Sequence, residues 1–224
     1  MDKKFRVPRV WSNRELEKFA HMFEGKAVNV SGWKDIDKEG KKYKEYFSNI
    51  SEYWITNYKS EARGFQGDQI NEIFVDLEED LDQSIHNKFD IVFNHTVLEH
   101  IFNINKAFEN LCNLSNDTVI IVVPFLQEQH AVYGDYWRFT PLAVKKLFQQ
   151  NNLELVYINY NDARSDSIYI FAIASKNPQK WMKINQHSDN KLDQIEHFML
   201  GTKIIRNSPF SKLKKKFKRI FKGK

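Results

Sequence analysis

Two apolar strands and the segment between them constrain this chain most. Phe89-Asp90-Ile91-Val92-Phe93-Asn94 and Thr118-Val119-Ile120-Ile121-Val122-Val123 are apolar runs of strand length, and such runs read as strands buried in a sheet. Asn105 to Leu114 between them reads as a helix. A strand, a helix and a second strand make a parallel crossover unit. Polar and aromatic residues gather just past both strands: Asn94-His95, then Pro124-Phe125, His130 and Asp135-Tyr136-Trp137-Arg138-Phe139-Thr140. Open α/β sheets bind ligands outside the carboxyl ends of their strands. The segment therefore predicts a small-molecule site.

The rest of the chain extends the alternation. Ser12-Asn13-Arg14-Glu15 has capping-box spacing and predicts a helix from Asn13 to Phe23. Strands are expected at Lys26–Ser31, Glu52–Thr56 and Glu72–Asp76, and helices at Lys38–Phe47 and from Glu78-Glu79-Asp80 onward. Pro141 fits the first turn of a helix reaching Asn151, and Leu153–Tyr160 and Ser167–Ser175 close the series as an antiparallel pair. The fold class is α/β: a doubly wound, mostly parallel seven-stranded sheet with an antiparallel edge hairpin. One domain is expected over residues 1–176, with 1–25 as a helical lead-in. A linker and helix (177–207) and a basic tail (208–224) follow.

The 224 residues suffice for one sizeable core. No run approaches membrane-spanning length, and the charged N-terminus leads into no signal-peptide core. The single cysteine, Cys112, reads as a buried thiol, and no Cys/His cluster has metal-site spacing. These features predict a cytoplasmic protein without a metal. The net charge of +5 is a property of the tail: residues 206–224 hold nine of the 34 basic residues and none of the 29 acids. The other 25 basic residues against 29 acids leave −4, so nucleic acid is not an expected partner.

The strand order, Phe89-Asp90-Ile91-Val92 with Val97-Leu98-Glu99-His100, and Val123-Pro124-Phe125 with His130 and the 135–140 run resemble class I S-adenosylmethionine-dependent methyltransferases of the broad type 11 group. The resemblance covers roughly residues 26–175 and implies a Rossmann-like methyltransferase fold with S-adenosyl-L-methionine as cofactor. It puts Asp76 and Leu77 at the adenine, and Asn94 and His95 at the methionine part and the transferred methyl. The loop from Pro124 to Arg138 would lie over the acceptor. The first loop, Asn29-Val30-Ser31-Gly32-Trp33, departs from the family's Gly-x-Gly turn. Asn29, Ser31 and Gly32 are its candidates for cofactor contact. Asn57 stands where an acid normally grips the ribose; it can hydrogen-bond a hydroxyl without the added strength of a charge.

His130 is a candidate general base for a hydroxyl acceptor, or a loop histidine that only bonds its neighbours. His95 is the second candidate base, or a group that orients its turn. His100 reads as structural. Asp135 and Arg138 would bind a polar acceptor or pair with each other, and Tyr133, Tyr136 and Trp137 would stack on a ring or pack the loop. In the tail, Phe210, Leu213, Phe217 and Ile220 repeat at helical spacing among lysines and arginines. This pattern suits an amphipathic helix on an anionic membrane surface, a partner-docking helix or a solvated tail. The expected activity is methyl transfer to a sugar or lipid-linked polysaccharide precursor at the inner membrane face. A catalytically inactive scaffold of the same fold is the alternative.

Overall fold

A computed structural model describes residues 3–58, 64–65, 67, 70–130, 134–162, 166–197 and 200–203. Helix α1 (Lys3–Phe19) leads into β1 (Gly25–Val30), β2 (Ile50–Asn57), β3 (Glu72–Phe74) and β4 (Phe89–His95). Then come α2 (Ile104–Leu114), β5 (Ser115–Leu126), α3 (Pro141–Gln150), β6 (Glu154–Tyr160), β7 (Ile168–Ser175) and α4 (Met182–Asn185). The seven strands form one sheet in the order β3-β2-β1-β4-β5-β7-β6. β3 through β5 are parallel, and β7 runs antiparallel to both β5 and β6. The order reverses between β1 and β4, which is the switch point where such sheets open a crevice.

Two apolar layers hold the sheet. On one face Phe108 and Leu111 of α2 and Val144 and Phe148 of α3 pack on Val92, Val119, Ile121 and Val123. Cys112 is buried in this layer, and burial pushes its thiol pKa up. On the other face Leu16 and Phe19 of α1, with Ala20 just after it, meet Phe93, Ile120, Val122, Tyr157 and Phe171. Asp90 ties strand starts together: its Oδ2 accepts the Lys26 N–H at 2.7 Å and its Oδ1 the Asn116 amide at 2.9 Å.

The sequence-based expectations need five corrections. α1 runs straight through the supposed capping box. The Ser12 hydroxyl donates to the Arg9 carbonyl, while Glu15 turns inward to accept from Tyr157 and Asn159 at 2.6 and 3.2 Å. These side chains bond the interior, leaving none to cap a helix start. The helix expected at Lys38–Phe47 shrinks to the 3-10 turn Tyr43–Tyr46. Asp37 Oδ1 accepts the N–H groups of Glu39 and Lys41, and Gly40 sits at φ 92°. A side chain that takes two neighbouring amides competes with a helical ladder. The acidic run after Asp76 likewise yields only a 3-10 turn, Gln83–Ile85, capped by Asp82. Finally, β3 stops at Phe74, two residues before Asp76. The segment expected as a linker packs on the domain: Trp181, Ile184 and Ile195 are buried. Tyr133 and the tail 208–224 lie outside the described residues, so the placement expected for them has no counterpart here. No helix among the described residues is long and apolar enough to cross a membrane.

Candidate functional site

The loop after β1 is a tight coil with Ser31, Trp33 and Asp35 all in the left-handed region (φ 57°, 50° and 56°). Each such residue costs roughly 1–2 kcal/mol, so neighbours must hold it. Thr56 does so with two atoms, accepting Ser31 N–H on its hydroxyl and Gly32 N–H on its carbonyl, both at 3.1 Å. Asn57 accepts Trp33 N–H at 2.7 Å and donates to Glu72 Oε1 at 2.6 Å. Asn29 donates to Asp35 Oδ1 at 2.8 Å, and Tyr53 donates to the same oxygen at 2.6 Å. Gly32 is required because a Cβ there would stand 2.7 Å from Asn29 Nδ2. Asn29, Ser31, Gly32 and Asn57 are thus brought together, and their polar groups bond one another and the protein. Glu72, unread from sequence, stands beside Asn57 as the acid of this corner.

At the switch point Asn94 is buried and donates to the Val30 carbonyl at 3.2 Å. Its Oδ1 has no partner among the described residues. Asp76 Oδ1 accepts the Glu78 N–H at 2.9 Å, while Leu77 is buried in the core. His95 points toward α1. Its Nε2 lies 2.8 Å from the Ser12 hydroxyl and its Nδ1 3.1 Å from that of Thr96. Ser12 gives its one proton to the Arg9 carbonyl, so Nε2–H donates to Ser12. Burial, with Arg9 nearby, pushes the ring's pKa well down. His95 therefore stays neutral with both nitrogens engaged, an arrangement that fixes its turn against the helix.

The loop after β5 is organised by Arg138. Its guanidinium grips Asp135 at 2.6 and 2.8 Å and the carbonyls of Gln127, Glu128 and Trp137 at 3.0, 3.2 and 2.7 Å. This fork holds the Asp135 carboxyl down at about 2. The charges of Asp135 and Arg138 answer each other. Asp135 also accepts from His130 N–H at 3.0 Å and faces His130 Nδ1 at 3.1 Å. A carboxylate only accepts, so Nδ1 turns its proton to Asp135, and Nε2 lies 3.5 Å from the side-chain amide nitrogen of Gln127. The His130 side chain is partly exposed.

Beside it, Tyr136 and Phe102 are 52% and 69% exposed and meet edge to face with ring centroids 5.3 Å apart. The Trp137 indole donates to the Ile101 carbonyl at 2.9 Å and lines a cavity of about 380 Å³ with Phe102 and Ile104. The loops after β4 and β5 thus carry an oriented imidazole and an exposed aromatic pair.

No protein-family model matches this sequence, and no curated protein matches it. Its fold does match solved structures. One is a methyltransferase from Bacillus halodurans, with 11% identity, 73% of this chain and 97% of that chain covered, and a TM-score of 0.55. Another is an S-adenosylmethionine-dependent methyltransferase from Clostridium acetobutylicum, with 10% identity, 78% and 95% covered, and a TM-score of 0.52. A third is the 1,6-didemethyltoxoflavin-N1-methyltransferase of Burkholderia thailandensis, with 16% identity, 77% and 83% covered, and a TM-score of 0.52. The chain has the fold of class I S-adenosylmethionine-dependent methyltransferases.

Proposed function

We propose that this chain is an S-adenosyl-L-methionine-dependent methyltransferase that methylates a hydroxyl of a sugar or surface-polysaccharide precursor. The observation that carries this reading is the carboxyl edge of the sheet, where Asn94 Oδ1 is buried without a partner among the described residues and Asp135 orients the His130 ring. The cofactor fits two acceptors there. The second oxygen of Asp76 suits the adenine amino group, and Asn94 Oδ1 suits the positive methionine end. When bound, the cofactor supplies an electrophilic methyl group. The chain's own tasks are to orient the acceptor on Tyr136 and Phe102 and to take its proton at His130 Nε2. Asp135 holds the Nδ1 proton and so fixes the tautomer and the aim of the ring.

The test is calorimetry with S-adenosylhomocysteine on the full chain. Binding that weakens at least tenfold in Asp76→Ala supports the reading, and no heat at millimolar ligand refutes it. A second reading, a membrane-tethered scaffold of the same fold, draws on the first loop: the Ser31, Gly32 and Trp33 amides all bond Thr56 and Asn57. The titration decides between the two.

The tail's pattern supports attachment to the inner face of the membrane, near lipid-linked acceptors. Sedimentation with anionic vesicles is expected for the full chain and not for one ending at Asn207. Equal sedimentation of both refutes the attachment.

A further inference from the structure

The carboxyl edge of the parallel strands carries a group of exposed apolar side chains. Phe102 stands between β4 and α2, Leu126 is the last residue of β5, and Tyr136 and Leu142 follow in the next loop and the first turn of α3. Phe102 meets Tyr136 edge to face, and the Trp137 ring lies 6.4 Å from it on the other side. Tyr136 is anchored from below: its N–H donates at 2.7 Å to the carbonyl of Glu99, in the 3-10 turn Leu98–His100. The Glu99 side chain is fully buried, and burial pushes its carboxyl up to about 7. The aromatic group therefore rests on buried structure. Single exposed apolar residues need no explanation, whereas a cluster of them marks a surface that binds something.

The last described residues of the chain reach the same edge. β5 and β6 both pair antiparallel with β7, so β6 ends at the edge where β5 ends. Asp162 lies two residues past the end of β6. Lys203 pairs with it, and the Lys203 ammonium also donates to the Asp162 carbonyl at 3.4 Å. Gly201 is buried, and a Cβ there would stand 3.5 Å from the Phe125 ring near the end of β5. Four residues join Lys203 to Ser208, where the basic tail begins. That tether spans at most roughly 18 Å. Residues 208–224 hold eight basic side chains, no acid and five large apolar ones. Polybasic segments are drawn to anionic lipid, and tryptophan and tyrosine settle at the level of the headgroups. The acids Asp80, Asp135 and Asp162 of this edge are answered by Lys106, Arg138 and Lys203.

We propose that the carboxyl edge is the face this protein turns to an anionic bilayer, with Phe102, Tyr136 and Leu142 entering the headgroup layer. The inference rests on the tail's attachment to the membrane. The tail draws in the edge from which it departs, and the aromatic group meets the same surface. A lipid-linked acceptor then reaches His130 without leaving the bilayer.

The test uses the single cysteine, Cys112, which is buried, so that one introduced cysteine alone takes a polarity-sensitive fluorophore. The full chain with Phe102→Cys or Leu142→Cys is labelled and mixed with vesicles of phosphatidylcholine and phosphatidylglycerol. Met182→Cys is the control. Met182 is exposed and follows Trp181, which donates to Asp117 near the start of β5, at the opposite edge. Emission at 102 and 142 is expected to shift to the blue and to be quenched by brominated acyl chains, while the label at 182 keeps its aqueous spectrum. Phe102→Ser is expected to weaken vesicle binding roughly tenfold. A chain that sediments with vesicles overturns the inference, and leaves the attachment standing, if the labels at 102 and 142 stay aqueous, if the label at 182 shifts as much, or if Phe102→Ser binds as well. A chain that does not sediment overturns both. A label at 102 that differs, without vesicles, between the full chain and one ending at Asn207 assigns the patch to the tail itself and overturns the inference too.

Discussion

Replacing Arg138 with Met tests the loop that carries His130. The guanidinium makes five hydrogen bonds, two to Asp135 and three to backbone carbonyls. The Asp135 carboxylate is completely covered, so Arg138→Met strands a buried charge beside His130 alone. Breaking a buried pair from one side costs about 3–5 kcal/mol. With a urea slope of about 3 kcal/mol/M for a chain of this size, the midpoint falls by roughly 1–1.7 M. Asp135→Leu combined with Arg138→Met removes the stranded charge and is expected to recover at least half the loss. Acid behaviour gives an independent check. The depressed Asp135 pKa contributes stability that is present above the ordinary value of about 3.9 and is lost as pH falls toward 2. Arg138→Met flattens that limb. A single-mutant cost below about 1 kcal/mol, or a double mutant no more stable than Arg138→Met, would refute the reasoning.

Glu99→Gln has the opposite sign. A folded pKa of about 7 against about 4.3 unfolded means stability that is present below 4.3 and lost as pH rises through 7. At about 1.36 kcal/mol per pH unit the amide should be about 4 kcal/mol more stable than wild type at pH 8 and equal to it at pH 4, read by urea denaturation. Equal gains at both values would contradict the assignment. Asn57→Asp, which restores the acid expected of the family, places a carboxylate where Asn57 now donates to Glu72. It should lose about 1–2 kcal/mol and bind S-adenosylhomocysteine no better, whereas pairing it with Glu72→Gln should recover the stability. Tighter binding by Asn57→Asp alone would count against this view of the corner.

The sheet was legible because its strands are apolar runs with few competing signals, and Phe89–Asn94 and Thr118–Val123 fall within observed strands. The helices were less so wherever aspartates had a local alternative. Asp37 and Asp82 bind backbone amides two residues on, which no periodicity reveals. The His130–Asp135–Arg138 arrangement could be anticipated because its members are close in sequence. The burial of Glu99 could not. An acid between Leu98 and His100 looks like a helix start until Arg9, ninety positions earlier, and Tyr169 of β7 close over it. Ser12 and Glu15 misled for the same reason, since their partners His95 and Tyr157 are distant in the chain.

The docking of α1 sets a timetable for synthesis. Glu15 bonds Tyr157 across 142 positions, Phe19 packs on Tyr157 with centroids 4.6 Å apart, and Lys18 pairs with Asp189. A ribosome adding roughly 5–20 residues per second needs on the order of ten seconds or more to supply those partners after α1 has emerged. Throughout that interval Leu16, Phe19 and Ala20, buried in the finished fold, lack the part of their cover that Tyr157 and Phe171 provide. Helix α1 thus waits on strands made well after it, and the nascent chain passes through a stage in which part of the helix's apolar face is uncovered.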